Sequence, residues 1–297
     1  MSSSAQSLGA ARDVPSLLAA FLQLSKPRVT RMVVLTMWCG AMMAPGAVDV
    51  VTLIVALAGT AAVVAAANTF NMVLERDIDA LMERTRTRPI PAGRIAPEIA
   101  LGFGVALALV GLTLLAVMVN PLTAMLAAVA LFSYVLVYTP LKRVTPFALH
   151  VGAIPGAIPP VLGWTSMTGS LSAPAIALFS ILFVWQLPHF VAIAIFRQSE
   201  YEAAQIRVLP AVRGLPAAKR TIVFYSVIQL AVSVLPWAIG FVGPAYLALA
   251  LPLGLAYLAY ALYGLRPAAG PAWAKALFFA SMPYLVLIVG SLVAFRF

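Results

Sequence analysis

The sequence predicts an all-α fold, a polytopic membrane protein whose bundle of about nine transmembrane helices surrounds a central cavity open toward the cytoplasmic side. Hydrophobic residues make up 63% of the 297 residues and charged residues only 9%, and the mean hydropathy is +1.02. These values are far from the averages of soluble domains. The basic residues are also distributed as expected for a chain that crosses a membrane repeatedly.

Long apolar runs with few charges recur along the chain. Each is close to the roughly 20 residues that a ~30 Å hydrocarbon core requires. The runs are continuous rather than alternating and too long for barrel strands, so they predict helices. We expect spans at 29–43, 51–74, 99–119, 122–138, 146–164, 173–196, 221–241, 244–265 and 273–294.

The N-terminal segment lacks the basic start and apolar core of a cleaved signal peptide. We therefore expect residues 1–25 to form a disordered cytoplasmic tail and residues 26–297 to form one transmembrane domain. A transit peptide is the alternative interpretation, because the segment contains several Ser and Ala residues and one Arg. The single Cys39 excludes an intramolecular disulfide and a thiol-based metal site.

The basic residues set the expected orientation. With the N-terminus in the cytoplasm, every Lys and Arg except Arg296 falls at or near a cytoplasmic segment. The positive-inside rule then predicts that the N-terminus lies inside and the C-terminus outside. We expect the protein to lie in the cytoplasmic (inner) membrane of a bacterium. Membrane topology accounts for the net charge of +10, so no nucleic-acid partner is required.

A stripe of polar residues ends the second expected span. On a straight helix, Asn68, Asn71, Glu75 and Asp79 fall within an arc of about 80°, whereas Asp77 lies on the opposite face. We expect Asp77 to pair with a neighbouring Arg. Carboxylate and amide oxygens suit Mg²⁺ that is also held by substrate phosphates, so Asn71, Glu75 and Asp79 are candidate metal ligands. The alternative is a solvated polar helix end.

The motif NxxxExxxD from Asn71 to Asp79 resembles the first aspartate-rich motif of the UbiA superfamily of intramembrane prenyltransferases. Residues 71–89, NMVLERDIDALMERTRTRP, look like the haem O synthase branch. The same branch is indicated by LSKPRVT (24–30), YTPLKRVTP (138–146), PGAIPPVLGW (155–164), WQLPHF (185–190) and AIFRQSEYEAA (194–204). Three positions depart from its usual pattern: Gln205 replaces a Gly, Arg207 replaces a Pro, and Val191 stands where an aromatic is common.

The resemblance implies that the diphosphate of farnesyl diphosphate leaves with the help of Mg²⁺ and basic side chains. It assigns Glu75 and Asp79 to the metal, with Asn71 and Asn68 as direct or water-mediated partners. Tyr138 would place its ring or hydroxyl near the reacting carbon, although an interfacial tyrosine is often a membrane anchor. Lys142 is the catalytic candidate among the cations that would hold the diphosphate. The remaining substrate-binding candidates on this side are Arg84, Arg88, Arg197, Glu200 and Tyr201.

The acceptor implied by the resemblance is a vinyl group of protohaem IX. His189 and His150 are then candidate axial ligands of the iron, although a lone histidine in a membrane is often only hydrogen-bonded to a neighbour. Lys26 and Arg28 are candidate partners of the haem propionates. A haem A synthase or a cytochrome oxidase assembly protein is a possible partner of such an enzyme.

Three alternatives remain open at this point. A UbiA-type enzyme with a quinone or chlorophyll precursor as acceptor shares the donor site. A transporter would place its charges near the midplane at broken helices, often with internal repeats. A non-enzymatic assembly factor for a haem-copper oxidase would show no turnover. A screen of acceptors separates the first alternative, and an activity assay of the purified protein with farnesyl diphosphate, Mg²⁺ and haem separates an enzyme from the other two.

Overall fold

The computed structural model describes residues 17–296, and within that range it is helical, without β-strands apart from one isolated bridge between Val242 and Arg296. A π-helical segment, Ser133–Tyr138, and a 3-10 segment, Pro244–Tyr246, interrupt the α-helices. The α-helices are α1 (Leu17–Leu24), α2 (Pro27–Met43), α3 (Val50–Leu74), α4 (Arg76–Leu81), α5 (Pro97–Met118), α6 (Pro121–Phe132), α7 (Thr139–Leu141), α8 (Ala148–Ala157), α9 (Pro159–Thr168), α10 (Ala173–Phe196), α11 (Gln198–Ala203), α12 (Leu209–Ala238), α13 (Leu247–Tyr263) and α14 (Pro271–Ala294).

Seven helices in the described range are long and apolar enough to cross a membrane. They are Val50–Leu74, Pro97–Met118, Pro121–Leu141, Ala173–Phe196, Leu209–Ala238, Pro244–Tyr263 and Pro271–Ala294. The expected spans at 29–43 and 146–164 correspond to α2, with 17 residues, and to the pair α8 and α9, with ten residues each. The all-α membrane class is therefore confirmed, and the count of nine stays a prediction.

Local sequence signals explain where several helices begin. Asp49 caps α3 by accepting hydrogen bonds from the backbone N–H groups of Val51 and Thr52. Asn120 caps α6 in the same way, since its Oδ1 accepts from Thr123 N at 2.8 Å. Both side chains satisfy donors that a helix N-terminus leaves unpaired. Proline opens α2, α5, α6 and α14, where its missing N–H costs nothing.

The prediction of a disordered tail over residues 1–25 is wrong for residues 17–24, which form α1. Residues 1–16 lie outside the described range. The helix forms because Ala20 and Leu24 are buried in a small apolar cluster shared with residues of α3 and α5 and the segment between α4 and α5. Leu17 and Leu18 are exposed on its other face. A run of eight residues is too short to be recognised as a span, which explains the error.

Close approach of α2 and α9 depends on two glycines. A Cβ on Gly163 would lie 1.9 Å from Met37 O, and a Cβ on Gly40 would lie 1.9 Å from Pro160 O. Both distances are far below any tolerated contact, so only glycine permits the two backbones to meet here. Small residues serve the same purpose in many membrane bundles, where van der Waals packing holds the helices together.

Candidate active site

A cavity of about 230 Å³ lies where the ends of α3 and α4 approach α7, the second half of α10 and the start of α12. It is at the end of the bundle that carries the basic segments 76–94 and 197–207. Most of the residues predicted as functional line this cavity, namely Lys26, Asn71, Glu75, Asp79, Arg84, Arg88, Tyr138, Lys142 and Tyr201. Side chains from at least five segments thus meet in one place.

The polar stripe reaches the cavity because α3 and α4 share nearly the same helical register. Glu75 joins them, and its N–H donates to Asn71 O at 3.0 Å, while Asp79 N donates to Glu75 O at 2.8 Å. The side chains of Asn71, Glu75 and Asp79 all line the cavity and are buried. Asn68 does not line it; its Nδ2 lies 3.4 Å from Ser25 O, beside the start of α2.

Asp77 behaves as its helical position predicts. Its side chain is 85% exposed and lies 3.7 Å from Arg76 Nε, outside the cavity. The expected pairing with a neighbouring arginine is confirmed. Two carboxylates separated by two residues, Asp77 and Asp79, therefore have opposite environments, because successive helix positions point in different directions.

Each buried carboxylate of the stripe pairs with a cation from another segment. Arg88 Nη1 lies 2.6 Å from Asp79 Oδ2, and Lys142 forms an ion pair with Glu75. Lys26 Nζ donates to Asn71 Oδ1 at 2.9 Å. Burial lowers the pKa of Lys26 to about 7, and the positive charge of Arg88 acts in the same direction. An anionic ligand would favour the protonated form of this lysine.

The residues present fit a magnesium ion. The Asp79 side chain is fully buried, yet its Oδ1 has no hydrogen-bond partner. Buried polar atoms are normally paired, so this oxygen is available to a ligand. Glu75 and Asn71 supply further oxygens, and hard oxygen donors are what Mg²⁺ prefers. No cluster of three or more His, Cys, Asp or Glu residues that would suit a metal held by protein alone occurs among residues 17–296. A metal shared with substrate phosphates matches this donor set.

Two arginines meet at a single carboxylate on α11. Glu200 forms an ion pair with Arg197, and its Oε2 lies 3.7 Å from Arg84 Nε. Arg84 lines the cavity, whereas Arg197 and Glu200 do not. Tyr201 does line it, and burial raises the pKa of its hydroxyl, which therefore stays protonated. Glu200 thus lies between Arg197 and Arg84, and neither Glu200 nor Arg197 lines the cavity.

Two tyrosines of the π-helical segment line the cavity. The rings of Tyr134 and Tyr138 have centroids 5.3 Å apart. The Tyr138 ring fits because Gly152 has no side chain; a Cβ there would lie 2.5 Å from Tyr138 Cδ2. Tyr134 was missed by sequence reasoning, although its position four residues before Tyr138 places both on one helix face. π-helical turns often occur at functional sites.

Three predicted acceptor-binding residues lie outside the cavity lining. His189 Nδ1 lies 2.6 Å from Ser281 Oγ, and its ring stacks on Trp185. His150 Nε2 lies 2.6 Å from the Tyr225 hydroxyl. These contacts fit the simpler interpretation of hydrogen-bonded histidines. Arg28, the third, is exposed near the start of α2.

The helical bundle is that of an intramembrane enzyme, and its cavity is lined by several cations. The UbiA prenyltransferase family matches residues 32–282, which is most of the chain. The chain belongs to the UbiA prenyltransferase family. The resemblance drawn from NxxxExxxD and its neighbouring motifs is thereby confirmed.

Curated relatives narrow the family to one branch. The chain is 53% identical to the protoheme IX farnesyltransferase of Sorangium cellulosum over 246 residues, which cover 83% of this chain and 88% of the relative. It is 43% identical to the protoheme IX farnesyltransferase of Myxococcus xanthus, with 95% and 96% of the two chains covered. The branch predicted from the motifs is therefore confirmed as well.

Solved structures show the same fold at low sequence identity. A structure described as digeranylgeranylglyceryl phosphate synthase in membranes has a TM-score of 0.80 and 16% identity, covering 94% of this chain and 98% of that chain. A UbiA homolog from Archaeoglobus fulgidus, bound to DMAPP and Mg²⁺, has a TM-score of 0.65 and 17% identity, with 92% and 99% covered. At these identities the likeness establishes the fold alone.

Proposed function

We propose that this chain transfers the farnesyl group of farnesyl diphosphate to a vinyl group of protohaem IX, forming haem O and releasing diphosphate. The observation that carries this proposal is the pattern of charge in the cavity: Glu75 and Asp79 are buried on one helical face, and cations from other segments surround them. Membership of the prenyltransferase family supports prenyl transfer, and the names of the 43–53% identical relatives support haem as the acceptor.

The donor half of the reaction breaks the bond between farnesyl C1 and the diphosphate oxygen. Mg²⁺ held by Asn71, Glu75 and Asp79, with Asn68 as a more distant partner, would neutralise charge on the leaving diphosphate. Lys142, Arg88 and Lys26 are proposed as the protein cations around that group, since each already contacts a member of the stripe. Preorganised cations stabilise the negative charge that develops as the bond breaks.

Arg84 and Tyr201 complete the proposed diphosphate site. Arg84 is the cavity-lining member of an ion-paired group in which Glu200 contacts both Arg84 and Arg197. Glu200 would therefore restrain the Arg84 guanidinium rather than bind substrate. The neutral hydroxyl of Tyr201 is available to donate a hydrogen bond to a phosphate oxygen. Loss of Arg84 or of the Tyr201 hydroxyl would weaken the binding of farnesyl diphosphate more than it slows the chemical step.

The acceptor half forms a bond between farnesyl C1 and the terminal carbon of the vinyl group. The aromatic rings of Tyr138 and Tyr134 line the same cavity and would stabilise the allylic cation through their faces. Water then adds to the resulting porphyrin-side cation and loses a proton, which gives the hydroxyethyl product. Apolar residues of α10, including Phe190 and Val191, would keep water away until the carbon–carbon bond has formed.

The proposed location is the cytoplasmic membrane of a bacterium, with the N-terminus inside and the C-terminus outside. The distribution of Lys and Arg supports this orientation. The orientation places the cavity on the cytoplasmic side, where the diphosphate group of the donor can enter from water. The product carries a long apolar tail and stays in the membrane. We expect a membrane-bound partner, such as a haem A synthase or a cytochrome oxidase assembly protein, to take it up.

The test is turnover of the purified protein in detergent with farnesyl diphosphate, Mg²⁺ and haem, followed by mass spectrometry of the extracted porphyrins. We expect farnesylated hydroxyethyl haem from the wild type and from Asp77→Asn, and almost none from Asp79→Asn. Transfer to a quinone or chlorophyll precursor in place of haem would indicate a different acceptor. Absence of transfer to every acceptor would favour a transporter or an assembly factor.

A further inference from the structure

Arg207 lies at the mouth of the cavity, on the segment that joins α11 to α12. Its side chain is exposed and also lines the cavity, so it borders both solvent and the substrate space. It stands where the haem O synthase branch usually has Pro, and sequence reasoning gave it no role. The turn that precedes Arg207 fixes where its backbone lies relative to the cavity.

The turn before Arg207 is a Schellman motif at the end of α11. Ile206 N donates to Tyr201 O at 2.9 Å, Gln205 N donates to Glu202 O at 3.0 Å, and Gln205 has a φ of 55°. This is the left-handed conformation in which glycine is usual. Ile206 then packs in a buried cluster with Ile78 and Met82. Because Ile206 is held against α4, the position of the following residue is fixed as well, and Ile206 and Arg207 both line the cavity.

Among residues 17–296, Arg207 is the cavity-lining cation that has no side-chain partner in the protein. In the described part of the chain, Lys142 pairs with Glu75, Arg88 with Asp79, and Arg84 with Glu200. Lys26 donates to Asn71 Oδ1. Arg207 forms no ion pair or side-chain hydrogen bond within residues 17–296. A free guanidinium at a cavity mouth is suited to an anionic group of the ligand.

The neighbours of Arg207 indicate which substrate carries that anion. The residues next to it in sequence that also line the cavity are Ile206, Val208 and Leu209. Helix α10 contributes Phe190, Ile193 and Ala194 to the same lining. An apolar wall with one arginine at its edge suits a flat, largely apolar acceptor with a carboxylate at its rim. The polar stripe and its paired cations already form the site for the diphosphate.

We infer that Arg207 binds a carboxylate of the acceptor and so orients its apolar ring in the cavity. The inference rests on the proposed function, and it replaces Arg28, which does not line the cavity, as the carboxylate partner. Arg207 is a specificity-determining residue for the acceptor and takes no part in donor ionisation.

The experiment compares wild type, Arg207→Gln and Arg207→Lys with haem and with haem dimethyl ester, which has no free carboxylates. Arg213→Gln is the matched control, since Arg213 is also exposed near the start of α12 but does not line the cavity. The KM for haem and the KM for farnesyl diphosphate are measured with purified protein in detergent. Binding of the acceptor is measured separately from the change in its visible absorbance, without farnesyl diphosphate.

We expect Arg207→Gln to weaken haem binding and raise the KM for haem by roughly tenfold, as for a lost charge-assisted hydrogen bond, with kcat nearly unchanged. The KM of Arg207→Lys for haem should lie between those of the wild type and Arg207→Gln. The KM of Arg213→Gln for haem should equal that of the wild type. The dimethyl ester should bind wild type and Arg207→Gln equally weakly. An unchanged affinity of Arg207→Gln for haem would overturn the inference, as would a raised KM for farnesyl diphosphate alone. A wild type that binds haem through Arg207 but never farnesylates it would overturn only the proposed function.

Discussion

Asn71 Nδ2 donates to Thr139 Oγ1 at 3.3 Å, a contact that joins the proposed metal-binding face of α3 to the residue that follows the π-helical segment. The same hydroxyl donates to Tyr134 O at 2.8 Å. With Nδ2 engaged by Thr139, Asn71 directs Oδ1 toward Lys26 and the cavity. Thr139 therefore fixes which end of the amide is offered to a ligand, as outer partners of metal ligands commonly do.

Replacement of Thr139 by Val should lower turnover by about fivefold, because a hydrogen bond of this kind contributes on the order of 1 kcal/mol and Asn71 becomes free to rotate. The Mg²⁺ concentration needed for half-maximal activity should rise as well. Thr139→Ser should restore both. Thr60→Val is the control, since the Thr60 hydroxyl on α3 is buried without a partner and its loss should leave both quantities unchanged. Equal effects at the two sites would refute the positioning role.

Removal of either buried carboxylate should nearly abolish turnover. Glu75→Gln and Asp79→Asn keep the side-chain volume but remove the charge that would bind Mg²⁺, so we expect losses of at least about 100-fold, in the range that mutagenesis of catalytic electrostatic groups gives. Asp77→Asn should lose little, since Asp77 is exposed beside Arg76. Steady-state rates of the three variants over a range of Mg²⁺ concentrations provide the measurement. A loss at Asp77 as large as at Asp79 would contradict the site geometry.

Arg88→Gln should raise the KM for farnesyl diphosphate and lower kcat together. It removes a cation from the donor site and leaves Asp79, which is fully buried, without its ion-pair partner. Arg86→Gln is the matched control, because Arg86 is exposed and lies 4.0 Å from the exposed Glu83. Surface pairs of that kind contribute little. If the KM for the donor were the same in both variants, Arg88 would have no role in diphosphate binding.

Topology is tested with reporters fused at chosen positions. Fusions after Arg143 and Arg213 should report the cytoplasm, and a fusion after Phe297 should report the outside, because all basic residues but Arg296 then fall at or near cytoplasmic segments. A cytoplasmic C-terminus would mean that the number of spans differs from nine by an odd number. It would leave the assignment of the catalytic stripe unaffected, since Glu75 and Asp79 precede most of the spans in question.

Much of the donor site could be predicted from sequence because its key residues share one helix. Fixed helical periodicity placed Asn71, Glu75 and Asp79 together and Asp77 opposite, and the structure agrees. The cations could be proposed only from resemblance, because they reach the cavity from other segments, and partners such as Arg88 for Asp79 depend on tertiary packing.

The remaining differences have separate physical causes. Helix α1 is stabilised by contacts with distant apolar residues rather than by its own length. Arg207 lines the cavity because Gln205 adopts a positive φ, which its residue type does not predict. His189 carries the chemistry of an iron ligand, but its ring is held by Ser281, a residue 92 positions away. Tyr134 was predictable from its spacing to Tyr138 and was overlooked.

The most direct test of the account is the mass of the haems extracted from cells that lack their own haem farnesylation, with and without this protein. Expression of the wild type should produce haem carrying one farnesyl and one added hydroxyl group. Expression of Asp79→Asn at the same membrane level should leave only protohaem. Farnesylated haem at equal levels with wild type and Asp79→Asn would contradict the assigned site, and its absence with the wild type would contradict the proposed function.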